Sequence, residues 1–163
     1  MSVEKLSKTK HGKERKRFDC TNESLNKYLK ETANQDQKDR LAVVYVSYDE
    51  QANEIKGYYT LSNDGISASD VPEHFKAKYK NLNVTLIGRL AVNSKYQGKG
   101  VGGALLAHAI KTCIMASNVI ASSAIIVDPI DKKAVSFYKH YGFIVLDSGR
   151  MFLAMKTAID AFG

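Results

Sequence analysis

Four glycines fall within six residues, at Gly98, Gly100, Gly102 and Gly103. They follow an apolar strand pattern and open an apolar helical pattern. No other segment constrains the chain as tightly. Each glycine inside a helix costs roughly 1 kcal/mol relative to alanine. Such a run is therefore expected where the backbone must turn sharply or lie close to a ligand. Backbone N–H groups at a helix start have no intrahelical partner, and the helix dipole is positive there. Gln97 to Gly103 accordingly read as a site for linked phosphates.

Two nucleotide signatures compete for the same residues. Gly98, Gly100 and Gly103 satisfy G-x-G-x-x-G, the dinucleotide fingerprint. That turn follows its strand directly, whereas here the strand ends near Val92. Too few residues follow to complete a doubly wound sheet. A Walker A loop is excluded, because no Gly-Lys-Ser/Thr closes the turn.

The surrounding pattern predicts a mixed α/β sheet. Thr21-Asn22 caps a helix carrying Leu25, Tyr28 and Leu29, which runs to about Gln37. Strands are predicted at Leu41–Tyr48 and Ile55–Leu61, joined by the polar turn Asp49–Asn53. Residues 63–82 contain Asn63-Asp64-Gly65 and Pro72 and read as a loop with one short helix near Glu73–Tyr79. Val84–Val92 is a long strand, Gly100–Ser117 a helix and Ser123–Val127 a buried strand. Asp131 caps a short helix that Gly142 stops. Phe143–Leu146 and Met151–Met155 end the pattern as strands. An antiparallel meander followed by a strand–helix–strand crossover places one parallel pair near the middle.

Length and charge bound the rest. The chain has 163 residues, 44% hydrophobic and 25% charged, which suits one domain spanning residues 1–163. No apolar run is long enough to span a bilayer, and Met1–Arg17 lacks the apolar centre of a signal peptide. The expectation is a cytoplasmic protein with no membrane partner. Cys20 and Cys113 lie far apart, and His11, His74, His108 and His140 are scattered, so no metal site is expected. Residues 1–17 carry seven basic groups against Glu4 and Glu14, and supply +5 of the net +7. A basic arm or edge attracts phosphate-rich partners.

Gln97-Gly98-Lys99-Gly100-Val101-Gly102 resembles the Q/R-x-x-G-x-G/A signature of the GNAT (GCN5-related N-acetyltransferase) superfamily. Ala134 to Phe143 resembles that family's A-x-x-F-Y-x-x-x-G-F segment. The resemblance implies a GNAT fold, with antiparallel N-terminal strands and a splayed parallel pair at the coenzyme A site. It implies that Gln97, Gly98, Lys99, Gly100, Val101, Gly102 and Gly103 hold the pyrophosphate of acetyl-CoA. Leu90, Ala91 and Val92 would line the pantetheine arm and polarise the thioester carbonyl. Tyr138 would face the sulfur and either protonate it or hold it by a hydrogen bond. Asn93 stands where the family often has Asp, and Gly103 where a larger residue is common.

Phe18-Asp19-Cys20, Leu25, Tyr28-Leu29 and Gly88-Arg89-Leu90-Ala91-Val92 resemble the acetyltransferase toxins of toxin–antitoxin pairs. That likeness implies acetylation of an amino acid esterified to tRNA, a ribbon-helix-helix antitoxin and a possible homodimer. Chemistry leans the same way. An α-amino group, with a pKa of about 7.7–8.0, is neutral in roughly a tenth of molecules at pH 7, whereas a free lysine hardly ever is. No convincing base stands out to deprotonate a lysine; Asp128 is the one carboxylate near the expected cleft. Arg89, Lys95, Lys132 and Lys133 are the cations expected to meet the tRNA. Two alternatives remain at this stage: a GNAT enzyme for small or protein amines, and a CoA-binding module without catalysis.

Overall fold

The computed structural model describes residues 2–75 and 77–163. The chain divides into two compact units, Met1–Ser62 with Gly88–Ala109, and Asn63–Ile87 with Ile110–Gly163. Among the described residues the strands pair in the order β1 (Val3–Lys5), β2 (Val43–Asp49), β3 (Glu54–Ser67), β4 (Asn81–Val92), β5 (Ala124–Val127), β7 (Met151–Ala154), β6 (Ile144–Val145). Among the described residues no helix is long and apolar enough to cross a membrane.

In the first unit β1 (Val3–Lys5) pairs antiparallel with β2 (Val43–Asp49), which pairs antiparallel with β3 (Glu54–Ser67). Three residues are too few to give a strand signal, so β1 was not expected. The basic segment that holds it is an integral edge, not a loose arm. The Leu6 amide donates to the Val44 carbonyl at 2.8 Å. Gln37 joins the same two residues, donating to Leu6 O and accepting from Val44 N, both at 2.9 Å. Lys10 bridges Glu4 and Glu50, and Arg17 donates to the Asn53 carbonyl.

The expected first helix has three parts. Asn22 Oδ1 caps α1 (Glu23–Lys27) through Leu25 N at 3.1 Å. A π-helical turn, Tyr28–Thr32, then leads into α2 (Ala33–Lys38). Arg15 Nη1 donates to the Lys30 carbonyl inside that turn at 2.9 Å. Tyr28, Leu29 and Ala33 pack with Phe18, Val44, Val46, Tyr58 and Ala91 on one sheet face. On the other face Tyr59 Oη meets Nδ1 of His108, on α3 (Val101–Ser117), at 2.7 Å. Leu105 and Leu106 of α3 are fully buried, contributing about 1.5–3 kcal/mol each. Gly57 makes this approach possible. A Cβ there would stand 2.6 Å from Leu105 Cδ1 and 2.7 Å from the Ala91 carbonyl.

In the second unit β4 (Asn81–Val92) pairs parallel with β5 (Ala124–Val127) from Thr85↔Ile125 to Ile87↔Val127. Strand β5 pairs antiparallel with β7 (Met151–Ala154), and β7 with β6 (Ile144–Val145). Ile66, Leu82, Val84, Ala124, Ile126, Leu146 and Phe152 form the core. Helix α4 (Lys132–His140) follows β5, and α5 (Met155–Phe162) closes the chain. The expected loop at Asn63-Asp64-Gly65 is instead the continuation of β3 to Ser67. Arg150 Nη2 donates to Asp64 Oδ2 at 2.6 Å, and Ile66 is buried. These two contacts override the local turn chemistry. The helix expected near Glu73–Tyr79 is not formed among the described residues, which make turns; Lys76 lies outside them. Met155 begins α5 rather than ending a strand, with Met155 and Ala158 buried.

Candidate active site

The end of β4 and the turn after it are braced from three sides. Asn93 is buried, and Nδ2 donates to the Ile55 carbonyl at 3.0 Å while Oδ1 accepts from Lys95 N at 3.1 Å. A carboxylate could not make the first of these bonds, so asparagine suits this turn. Gln97 Nε2 donates to the carbonyls of Val92, at 3.0 Å, and Cys20, at 3.2 Å. The Gln97 side chain therefore positions the turn from within.

Gly98 and Gly100 have φ of 78° and 82°, and a Cβ on either would meet nothing within 4 Å. Backbone conformation, not crowding, requires glycine there. Residues 97–100 are exposed, and α3 starts at Val101. The first amide to find a carbonyl in this turn is Ala104 N, 3.1 Å from Gly100 O. Among the described residues the amides of Val101, Gly102 and Gly103 donate to no backbone carbonyl, as befits the first turn of a helix. No acidic side chain stands in that first turn, and Lys99 is exposed beside it. Unpartnered donors, a positive helix end and no competing carboxylate fit a pyrophosphate.

The expected substrate cations differ among themselves. Arg89 lays its guanidinium over the Tyr28 ring, Cζ 3.5 Å from the centroid. Lys95 Nζ is held by Glu54 Oε2 at 2.7 Å, and Tyr96 Oη donates to the other carboxylate oxygen at 2.9 Å. These bonds hold the Glu54 carboxyl below its usual range, and Lys95 is already ion-paired. Lys132 and Lys133 are exposed in the first turn of α4.

Asp131 caps α4, accepting from Ala134 N at 2.8 Å, and Gly142 ends it with φ 97°. Tyr138 is buried on this helix, its ring 5.3 Å from Phe137 and 5.6 Å from Phe143. Its hydroxyl makes no hydrogen bond among the described residues. Burial pushes its pKa up to about 12. Buried tyrosine hydroxyls usually have a partner, so one directed at a reacting group fits this one. Asp128 is not a free base, because Arg150 Nε donates to its Oδ1 at 2.8 Å.

Arg89–Val92, Lys95 and Gln97–Gly103 belong to the first unit; Tyr138, Lys132 and Lys133 belong to the second. The sequence reading took Tyr28 for helix core and passed over Glu54. Tyr28 sits in an apolar helical stripe and resembled core, and Glu54 lies 41 residues from its partner.

A helix start with free amides after a strand, on a mixed sheet with one parallel pair, fits a coenzyme A-dependent acyltransferase. Residues 40–145 match the acetyltransferase (GNAT) domain model, and the chain belongs to that family, using acetyl-CoA as cosubstrate for N-acetylation. It is 33% identical to a tRNA-acetylating toxin of Mycobacterium tuberculosis over 67% of this chain and 68% of that protein. Solved structures similar over 99% of this chain include three toxin structures. A tyrosine-to-phenylalanine variant of KacT shares 29% identity, 98% coverage and a TM-score of 0.89. AtaT complexed with acetyl-methionyl-tRNAfMet shares 27% identity, 99% coverage and a TM-score of 0.89. A tyrosine-to-phenylalanine variant of AtaT, bound to acetyl-CoA and the C-terminus of antitoxin AtaR, shares 27% identity, 97% coverage and a TM-score of 0.82.

Proposed function

We propose that this acetyltransferase modifies the α-amino group of an amino acid esterified to tRNA, and so arrests translation as the toxin of a toxin–antitoxin pair. The row of unpartnered amides at the start of α3 carries the first half of the reading. The likeness to a tRNA-acetylating toxin and to AtaT with its acetylated tRNA supports the second.

Residues 97–103 bind the pyrophosphate through their backbone amides, with Lys99 near the phosphates. Leu90, Ala91 and Val92 line the pantetheine arm, and backbone N–H at this strand end polarises the thioester carbonyl. Tyr138 serves the sulfur. A thiol has a pKa of about 8.5, well below the value of about 12 to which burial lifts Tyr138. The phenolic proton therefore stays on oxygen, and Tyr138 stabilises the leaving thiolate by donating a hydrogen bond. With Asp128 paired to Arg150, the site favours an amine that is partly neutral already. An α-amino group meets that demand.

Both units act as one acetyltransferase domain spanning residues 1–163, in the cytoplasm. Arg89, Lys132 and Lys133 meet the tRNA, and Lys95 contributes through the turn it braces. Its antitoxin is of the ribbon-helix-helix type, and the enzyme works as a homodimer. Incubation with radiolabelled acetyl-CoA and total charged tRNA tests the reading. Label should appear on the aminoacyl moiety and not on deacylated tRNA; no label on charged tRNA, with label on free polyamines or peptides, overturns it.

A further inference from the structure

Several cations of the first unit have partners. Lys10 is held by Glu4 and Glu50, Lys95 by Glu54, Arg15 by the Lys30 carbonyl and Arg17 by the Asn53 carbonyl. Arg89 is different. It is half-buried on β4, yet among the described residues its guanidinium makes no hydrogen bond and no ion pair. Withdrawing a charge from water without a partner is costly. A fixed guanidinium with its N–H edge unpaired is suited to bidentate contact with a phosphate.

The side chain is nonetheless held in place. Its Cζ lies 3.5 Å from the centroid of Tyr28. Tyr28 is itself fixed, its hydroxyl donating to Asp36 Oδ2 at 2.8 Å and its ring lying nearly parallel to Tyr58, at 6.3 Å. Tyr28 opens the π-turn, a form of helix often found at functional sites. Asp36 makes no ion pair with Arg89 among the described residues, so the nearby carboxylate orients the ring without neutralising the guanidinium. Arg89 also sits one residue before Leu90, on the strand that serves the thioester.

We infer that Arg89, held flat on Tyr28, is a specificity-determining phosphate site that receives a backbone phosphate near the aminoacylated end of the acceptor RNA. This rests on the acceptor reading above. It explains how the enzyme would prefer an amino acid joined to RNA over the same free amino acid, since the free molecule has no phosphate to offer.

The test measures three quantities for wild type, Arg89→Gln and Arg89→Lys: KM and kcat for charged tRNA, the salt dependence of deacylated tRNA binding, and acetyl-CoA affinity by calorimetry. Arg89→Gln should raise KM roughly tenfold or more and lower the magnitude of the salt slope by about 0.7–0.9, with acetyl-CoA affinity unmoved. Arg89→Lys keeps the charge but loses the flat fork, so it should restore the salt slope and only part of KM. Unchanged KM and salt slope in Arg89→Gln, with wild type active, overturn the inference alone. Weakened acetyl-CoA binding overturns it by assigning the phosphate to coenzyme A. A wild type that acetylates no charged tRNA overturns the acceptor reading and this site with it.

Discussion

Helices α3 and α4 both follow a strand, but they begin in opposite ways. Helix α4 satisfies itself, since Asp131 Oδ1 accepts from Ala134 N. Helix α3 has Gly100 before its first residue, and glycine offers no side chain to cap with. A carboxylate cap neutralises the positive end of a helix and occupies its donors. Leaving it out preserves them for a ligand. Of the two, α3 is the start suited to hold an anion. The contribution proposed for helix α4 comes instead from its buried face, where Tyr138 lies.

The comparison breaks most visibly if α4 is silenced without being unfolded. Tyr138→Phe keeps the ring against Phe137 and Phe143 and removes only the hydroxyl. We expect kcat to fall roughly 10²–10³-fold, with acetyl-CoA affinity little changed. The same raised pKa has a sign that can be checked. Tyr138 stays protonated well above neutral pH, so kcat/KM should rise as the amine deprotonates near pH 8 and show no descending limb up to pH 9. A single-turnover rate in Tyr138→Phe within threefold of wild type would remove α4 from the chemistry.

The next effect falls on α3. Gly100→Asp installs the kind of cap that α4 has, at a residue whose φ is 82°. The carboxylate would occupy the first-turn donors and repel phosphate, and the left-handed backbone adds a strain of about 1–2 kcal/mol. Acetyl-CoA affinity should drop roughly a hundredfold by calorimetry, equivalent to about 2.7 kcal/mol. Gly100→Ala, which carries strain without charge, should show a smaller loss. Equal affinity in Gly100→Asp and wild type would mean that these amides hold no phosphate.

What could be read from sequence follows the range of the forces involved. The glycine turn, the Asp131 cap and the Gly142 stop are determined within four or five residues, and all lie where the pattern put them. Strand β3 ran past Asn63-Asp64-Gly65 because Arg150, 86 residues away, supplies the partner for Asp64. Arg89 and Tyr28 were each noticed, one as a cation and one as helix core. Their stacking joins β4 to a π-turn that no local periodicity announces. Lys95 looked available because its partner Glu54 belongs to the start of a different strand. The site was legible where backbone conformation makes it, and illegible where side chains from distant segments meet.

The smallest effect tests whether the two helix starts do different work. Asp131→Ala removes a cap of ordinary kind, worth about 1 kcal/mol, and leaves α4 otherwise intact. Urea denaturation should report a loss near that value. If stability is the whole of its role, acetyl-CoA affinity measured on the folded fraction should not move, in contrast to Gly100→Asp. A loss of cofactor affinity in Asp131→Ala, with stability unchanged, would mean that the start of α4 also faces the ligand and that the asymmetry between the two helices is only apparent.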